Sequence, residues 1–188
     1  MASGRSSQDK NTVLGDQANR DINKTYNYGA DSATPMRRLI ERLKEERRND
    51  TQFHETLEIL RRYTEPPSGD SVQGLEEKLL AADRKDLLAF ATQAKEIFAK
   101  KLYENQFSEC GQEILGLLLA EVYTRFHLHV VPAIRAGRPP DEITRLAQTM
   151  VIDKVSALLE ENPLRLYADD INGMVFYLTG NCHLRWSN

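Results

Sequence analysis

From Thr34 to Thr179 the apolar residues of this chain recur at intervals of three and four. Breaks rich in proline, glycine and asparagine divide the run into segments. Such spacing lines up one apolar face only if each segment is an α-helix, because a strand needs a period of two. The body is thereby confined to helix packed on helix. Met36, Leu39, Ile40 and Leu43 make the first stripe, opposite Arg37, Arg38, Glu41, Arg42, Lys44, Glu45 and Glu46. Thr34 before Pro35 is a start signal, a hydroxyl cap followed by proline at the first helical position. Asn49 and Asp50 end that helix, and Asp50 is expected to cap a second one carrying Phe53, Leu57, Leu60 and Tyr63.

Pro66-Pro67-Ser68-Gly69-Asp70 is a loop. A short helix follows at about 75–82, with Leu75, Leu79 and Leu80 apolar. Asp83 is expected to cap the next, whose apolar stripe is Leu87, Leu88, Phe90, Ala91, Ala94, Ile97, Phe98 and Leu102. Ser108 is expected to cap a long helix bearing Ile114, Leu117, Leu118, Val122, Phe126, Val130 and Ile134. That helix is apolar on more than one side, which predicts a central position. Pro132 lies inside it and is expected to kink it or end it early. A further helix starts at Asp141 and is expected to stop at Asn162-Pro163. The last spans about 169–179, with Gly180 as its left-handed ending. The expectation is an all-α bundle of six or seven helices over residues 34–188.

Residues 1–33 form a separate unit in this reading. Residues 1–11 are polar and read as a tail. In 22–28, Ile22, Lys24, Tyr26 and Tyr28 fall on one side and Asp21, Asn23, Thr25 and Asn27 on the other, a period-two pattern. A lone hairpin is marginal in water. The segment is therefore expected to be a short β-like appendage used for assembly, with Ile22, Tyr26 and Tyr28 as its contact residues.

Composition and motifs narrow the chemistry. The 188 residues hold 25 Lys and Arg against 28 Asp and Glu, a net charge of -3, which excludes a generally basic nucleic-acid binder. The longest central apolar run, Ile114 to Ala120, is closed by Glu113 and Glu121. It is far shorter than the roughly 20 residues of a membrane span, so no membrane association is expected. No secretory signal is visible, which predicts a cytoplasmic protein with Cys110 and Cys182 as free thiols. Phosphate-binding glycine loops, HExxH, paired CxxC and GxSxG are absent from the sequence, so no cofactor, metal or catalytic residue is expected. His127 and His129 point to different faces of one helix, and His54 and His183 stand apart. Asp169 and Asp170 read better as acidic residues at a helix start than as metal ligands. The arginines of 37–48 alternate with glutamates at one-turn spacing, the pattern of a solvated helix with ion pairs. Nucleic-acid contact is left to one surface of a larger assembly, an indirect DNA association.

The segment 164–186 holds more unusual residues than a plain bundle needs. Gly173 in mid-helix costs about 1 kcal/mol relative to alanine. A close helix–helix approach or simple tolerance would explain it, and Gly116 raises the same question. Phe176, Tyr177 and Trp186 are candidates for an aromatic anchor at an interface or for closure of the core. Gly180 and His183 belong to the same candidate site.

Four strings resemble a known family: Gly15-Asp16-Gln17-Ala18-x-Arg20-Asp21-Ile22-Asn23, Gly74-Leu75-Glu76-Glu77-Lys78-Leu79, Ala99-Lys100-Lys101-Leu102, and a C-terminal string. The last reads Asp170-Ile171-Asn172-Gly173-Met174-x-Phe176-Tyr177-Leu178-Thr179-Gly180-Asn181-Cys182-His183-Leu184-x-Trp186. Together they resemble the small helical proteins and C-terminal domains of bacterial ABC-three-component systems, the Lamassu-like anti-phage group. The resemblance covers about 13–186 and is most specific in the C-terminal string. It implies a non-catalytic interaction subunit bridging an SMC-like ATPase and an effector, with homo-oligomerisation as a further expectation. The alternatives are an independent self-assembling adaptor or a metal-dependent nuclease using residues such as Asp169 and Asp170.

Overall fold

A computed structural model describes residues 33–50, 53–67, 74–159 and 162–187. The expected appendage, with Ile22, Tyr26 and Tyr28, lies outside these residues. The described part is all-α, with seven helices. They are α1 (Ala33–Arg48), α2 (Glu58–Thr64), α3 (Leu75–Ala81), α4 (Leu88–Glu104), α5 (Glu109–Arg135), α6 (140–156) and α7 (Ala168–Gly180). A 3₁₀ turn, Lys85–Leu87, leads into α4.

The central helix is α5, as its all-round apolarity predicts. Ile114, Leu115, Leu118, Leu119, Val122, Phe126 and Val130 are all buried. Helices α1 and α2 pack on it from one side and α7 from another, while α4 runs along α7. Twenty-seven residues make α5 about 40 Å long. Among the described residues it is the one helix long and apolar enough to cross a membrane by length and composition, which the count of unbroken apolar residues misses. Its buried apolar side chains pack within the bundle, against α1, α2 and α7 among others, while Leu128 is 65% exposed. At Gly116 an added Cβ would stand 2.9 Å from the Ile59 side chain and 3.2 Å from the Leu60 backbone nitrogen. This glycine therefore permits α2 to lie close on α5.

Several local expectations are corrected. Pro132 neither ends nor breaks α5. The helix widens into a π turn at Phe126–Val130, where Val131 N–H reaches back to the Phe126 carbonyl. Proline lacks a donor, and it follows directly on this wide turn. A second π turn, Ala147–Ile152, interrupts α6 and packs against the first. Helix α6 itself ends before Asn162, whose side chain instead ties the loop by accepting from Leu166 N–H at 3.0 Å.

The helix carrying Phe53 and Leu57 begins only at Glu58. The buried Gln112 side chain claims the preceding segment. Its oxygen accepts from Leu57 N–H at 2.8 Å, and its nitrogen donates to the Glu55 and Gln106 carbonyls at 2.8 and 2.7 Å. Backbone groups satisfied this way have no need of a helical ladder. Asp50 and Asp83 do not cap helices: both turn the chain, with φ of 49° and 55°. Ser108 does cap α5, accepting from Gly111 N–H at 2.9 Å. A second cap on α5 comes from α1. The Glu46 carboxylate accepts from Glu109 N–H at 2.8 Å, Cys110 N–H at 3.0 Å and the Ser108 hydroxyl at 3.2 Å. Four amides at a helix start lack helical partners and favour negative charge, so this contact pins α1 to α5.

Candidate functional site in the C-terminal helix and tail

Helix α7 opens where Asp170 folds back, its carboxylate accepting from Tyr167 N–H at 2.8 Å. Asp170 therefore serves the helix start and is buried, with Asp169 exposed in the same first turn. Among the described residues no group of three or more His, Cys, Asp or Glu side chains is placed to hold a metal ion.

Gly173 faces α4. A Cβ there would stand 2.6 Å from the Ala94 carbonyl oxygen and 2.7 Å from Phe98 Cβ. The mid-helix glycine is thus a contact point between α4 and α7. Tyr177 meets Phe98 edge-on at 5.4 Å. Burial raises the Tyr177 hydroxyl above its ordinary value, opposed by a hydrogen bond with Asn181. Phe176 meets Phe90 edge-on at 5.8 Å and stacks on Trp186 at 6.0 Å.

The left-handed residue at the end of α7 is Cys182, with φ of 66°, and not Gly180. The turn is held by His183 N–H donating to the Leu178 carbonyl at 2.9 Å. Gly180 stays helical and makes room for Lys95, whose Nζ lies 2.6 Å from where a Cβ would be. The buried Lys78 ammonium donates to the Thr179 carbonyl, placing a cation at the negative end of the helix.

After this turn the tail folds back. Trp186 is 6% exposed and meets Phe126 of α5 edge-on at 5.2 Å. Its indole N–H donates to the Thr179 hydroxyl at 3.1 Å. The Arg84 guanidinium lies 5.6 Å from the indole ring and is itself anchored on the Thr144 hydroxyl at 2.8 Å. In the other direction the tail grips the end of α2. Asn181 donates to the Thr64 carbonyl at 3.2 Å, and His183 Nε2 pairs with the Glu65 carbonyl at 2.9 Å. Carbonyls at a helix C-terminus have no helical partner, and these side chains supply one. The His183 ring also meets Tyr63 at 5.8 Å and Tyr123 at 6.4 Å. Burial holds the His183 imidazole below its ordinary value, and Lys78 acts in the same direction, against the Glu65 carbonyl.

Two depressions meet at His183. One, of about 290 Å³, lies beside His127, Ile134, Arg135 and Cys182. The other, of about 480 Å³, lies beside Arg61, Arg62, Tyr63, Pro66 and Tyr123. Several of their polar groups are turned onto the chain itself. His127 Nδ1 pairs with the Tyr123 carbonyl at 2.9 Å, and Arg61 stands between Glu58 at 3.9 Å and Glu65 at 3.8 Å. The arrangement is a clamp joining α7, α5 and α2.

Phe176, Tyr177, Gly180, His183 and Trp186 lie in the second half of α7 and the tail, whereas Gly173 sits in mid-helix against Ala94 and Phe98 of α4. Lys78 and Arg84 complete the site by bonds to partners distant along the chain, Thr179 and Thr144, whereas Thr179 lies only seven residues from Trp186 in the C-terminal string. The other cysteine, Cys110, lies buried beside Glu46, and burial first, then the Glu46 hydrogen bond, push its thiol up to about 11.

No curated protein and no solved structure matches the chain. The family model for C-terminal domain 9 of the ABC-three component (ABC-3C) systems matches residues 74–186. That is more than half of the 188 residues. The match runs from the start of α3 to Trp186 and leaves α1 and α2 outside it. The chain belongs to the family of C-terminal domain 9 of the ABC-three-component systems.

Proposed function

We propose that the chain is a non-catalytic interaction and regulatory subunit of a Lamassu-like anti-phage system, linking an SMC-like ATPase to an effector. The observation that carries this reading is the orientation of the polar groups at the candidate site. His127, His183, Asn181, Lys78 and Trp186 bond groups of their own bundle. A side chain committed to a backbone carbonyl serves the fold, which supports an interaction role. Family membership supports work alongside other subunits. In this reading residues 13–28 are the assembly segment, with Ile22, Tyr26 and Tyr28 as contacts.

Co-expression with the ATPase and effector encoded beside it tests the proposal. Affinity capture of this chain should retain both in fixed ratio, and an Ile22→Asp/Tyr26→Asp variant should lose at least one. Capture of neither, or DNA cleavage by the pure chain with Mg²⁺ that is lost in Asp170→Asn, would overturn it.

A further inference from the structure

The two depressions that meet at His183 hold positive charge that the fold does not spend. Arg135 lines the first and Arg62 the second. Both side chains are exposed, and neither has an ion-pair or hydrogen-bond partner among the described residues. Arg185 also lines the first depression, and no described carboxylate does. The second holds two arginines and two glutamates, but both glutamates lie beside Arg61, at 3.9 and 3.8 Å. The walls are fixed in advance, since the His127 and His183 rings are each held on a backbone carbonyl at 2.9 Å.

We propose that the joined depressions are a docking groove for a short acidic peptide segment of another protein, with carboxylates toward its two ends and apolar side chains between them. The argument is charge complementarity. Guanidinium forks match carboxylates, and Arg135 with Arg185 would take the more acidic end and Arg62 the other. Tyr123 of the second depression lies on α5 well before Val131, Ile134 and Arg135 of the first. From Tyr123 to Arg135 the helix rises roughly 18 Å. An extended segment covers that length in about six residues. Val131, Ile134 and the tyrosine rings suit apolar side chains along the way. A nucleic acid fits less well, because it carries charge at every step and would meet Glu58 and Glu65 in the second depression. The contacts are made by side chains, since the His183 and Leu184 amides are already spent on the Leu178 carbonyl. The inference does not rest on the bridging role, because a peptide alone tests it.

Fluorescence anisotropy of the full chain with a labelled, end-capped hexapeptide tests it. The peptide carries two glutamates at one end, one at the other and leucines between. It should bind at low salt with a Kd of about 0.1 mM or tighter. Arg135→Glu should weaken binding about ten-fold or more, and Arg62→Glu about three-fold or more, because each sets like charges against the peptide. Lys100→Glu, outside both depressions, should leave binding unchanged. All three positions are exposed, so helical circular dichroism should be the same throughout. Binding weaker than about 0.1 mM by the wild type would overturn the proposal. So would binding indifferent to Arg135→Glu and Arg62→Glu, or lost equally in Lys100→Glu. A labelled single-stranded oligonucleotide that binds more tightly than the peptide, and is released by Arg135→Glu, would also overturn it and make the groove a nucleic-acid face.

Discussion

The indole N–H of Trp186 donates to the Thr179 hydroxyl at 3.1 Å, and that hydroxyl donates in turn to the Val175 carbonyl at 2.8 Å. One polar chain thus ties the last residues of the tail to the helix they have just left. The ring closes over Phe126 and Phe176. Trp186→Ala should therefore cost about 3–5 kcal/mol. At about 2–4 °C per kcal/mol for a chain of this size, thermal melting should fall by about 6–20 °C. Trp186→Phe keeps much of the ring and loses the donor, and should cost about 1 kcal/mol more than the repacking alone.

The two glycines of α7 should answer differently to the same substitution. Gly173→Ala drives a methyl into the Ala94 carbonyl and Phe98 Cβ, neither of which is a free end. A loss of about 1–3 kcal/mol is expected, despite the better helix propensity of alanine. Gly180→Ala meets only the flexible end of Lys95 and should be close to neutral. Equal losses in denaturant titrations would contradict this account of the α4–α7 seam.

Much of this was readable from residue order, and the exceptions share a cause. The stripe Met36, Leu39, Ile40 and Leu43, the Ser108 cap and the central place of α5 all follow from local spacing. What spacing hides is a backbone group satisfied from far away. Gln112 holds Leu57 out of a helix across 55 positions, and Glu46 caps α5 across more than 60. Pro132 was tolerated through a π turn that no residue pattern announces. Gly180 suggested a left-handed turn, yet the chain makes it two residues later at Cys182. At the candidate site the aromatic residues stood out by type, whereas Thr64, whose carbonyl accepts from Asn181, did not.

Cys110 gives a pH prediction. Its folded value of about 11 stands above the ordinary 9.0, so the folded chain holds the proton more tightly than the unfolded chain. The resulting stabilisation is whole below pH 9 and is lost as pH rises toward 11. Iodoacetamide should label Cys110 far more slowly than an unfolded control at pH 8. Glu46→Gln should speed that labelling, because it removes one cause of the raised value, and should also weaken the α5 cap by about 0.5–2 kcal/mol.

His183 shifts the opposite way. Its folded value lies below 6.5, so the unfolded chain takes up the proton first as pH falls. Its contribution is whole above pH 6.5 and is lost on acidification through the folded value. An NMR titration should place His183 below 6.5. In His183→Gln the acid side of the stability profile should flatten.

Hydrogen exchange of the free chain and of its complex with the other subunits tests the central claim most directly. If the C-terminal string closes its own bundle, amides of 173–186 are protected in the free chain and change little on complex formation, while new protection appears elsewhere. Rapid exchange at 181–186 in the free chain, with protection gained only in the complex, would contradict the account and make Trp186 a partner contact.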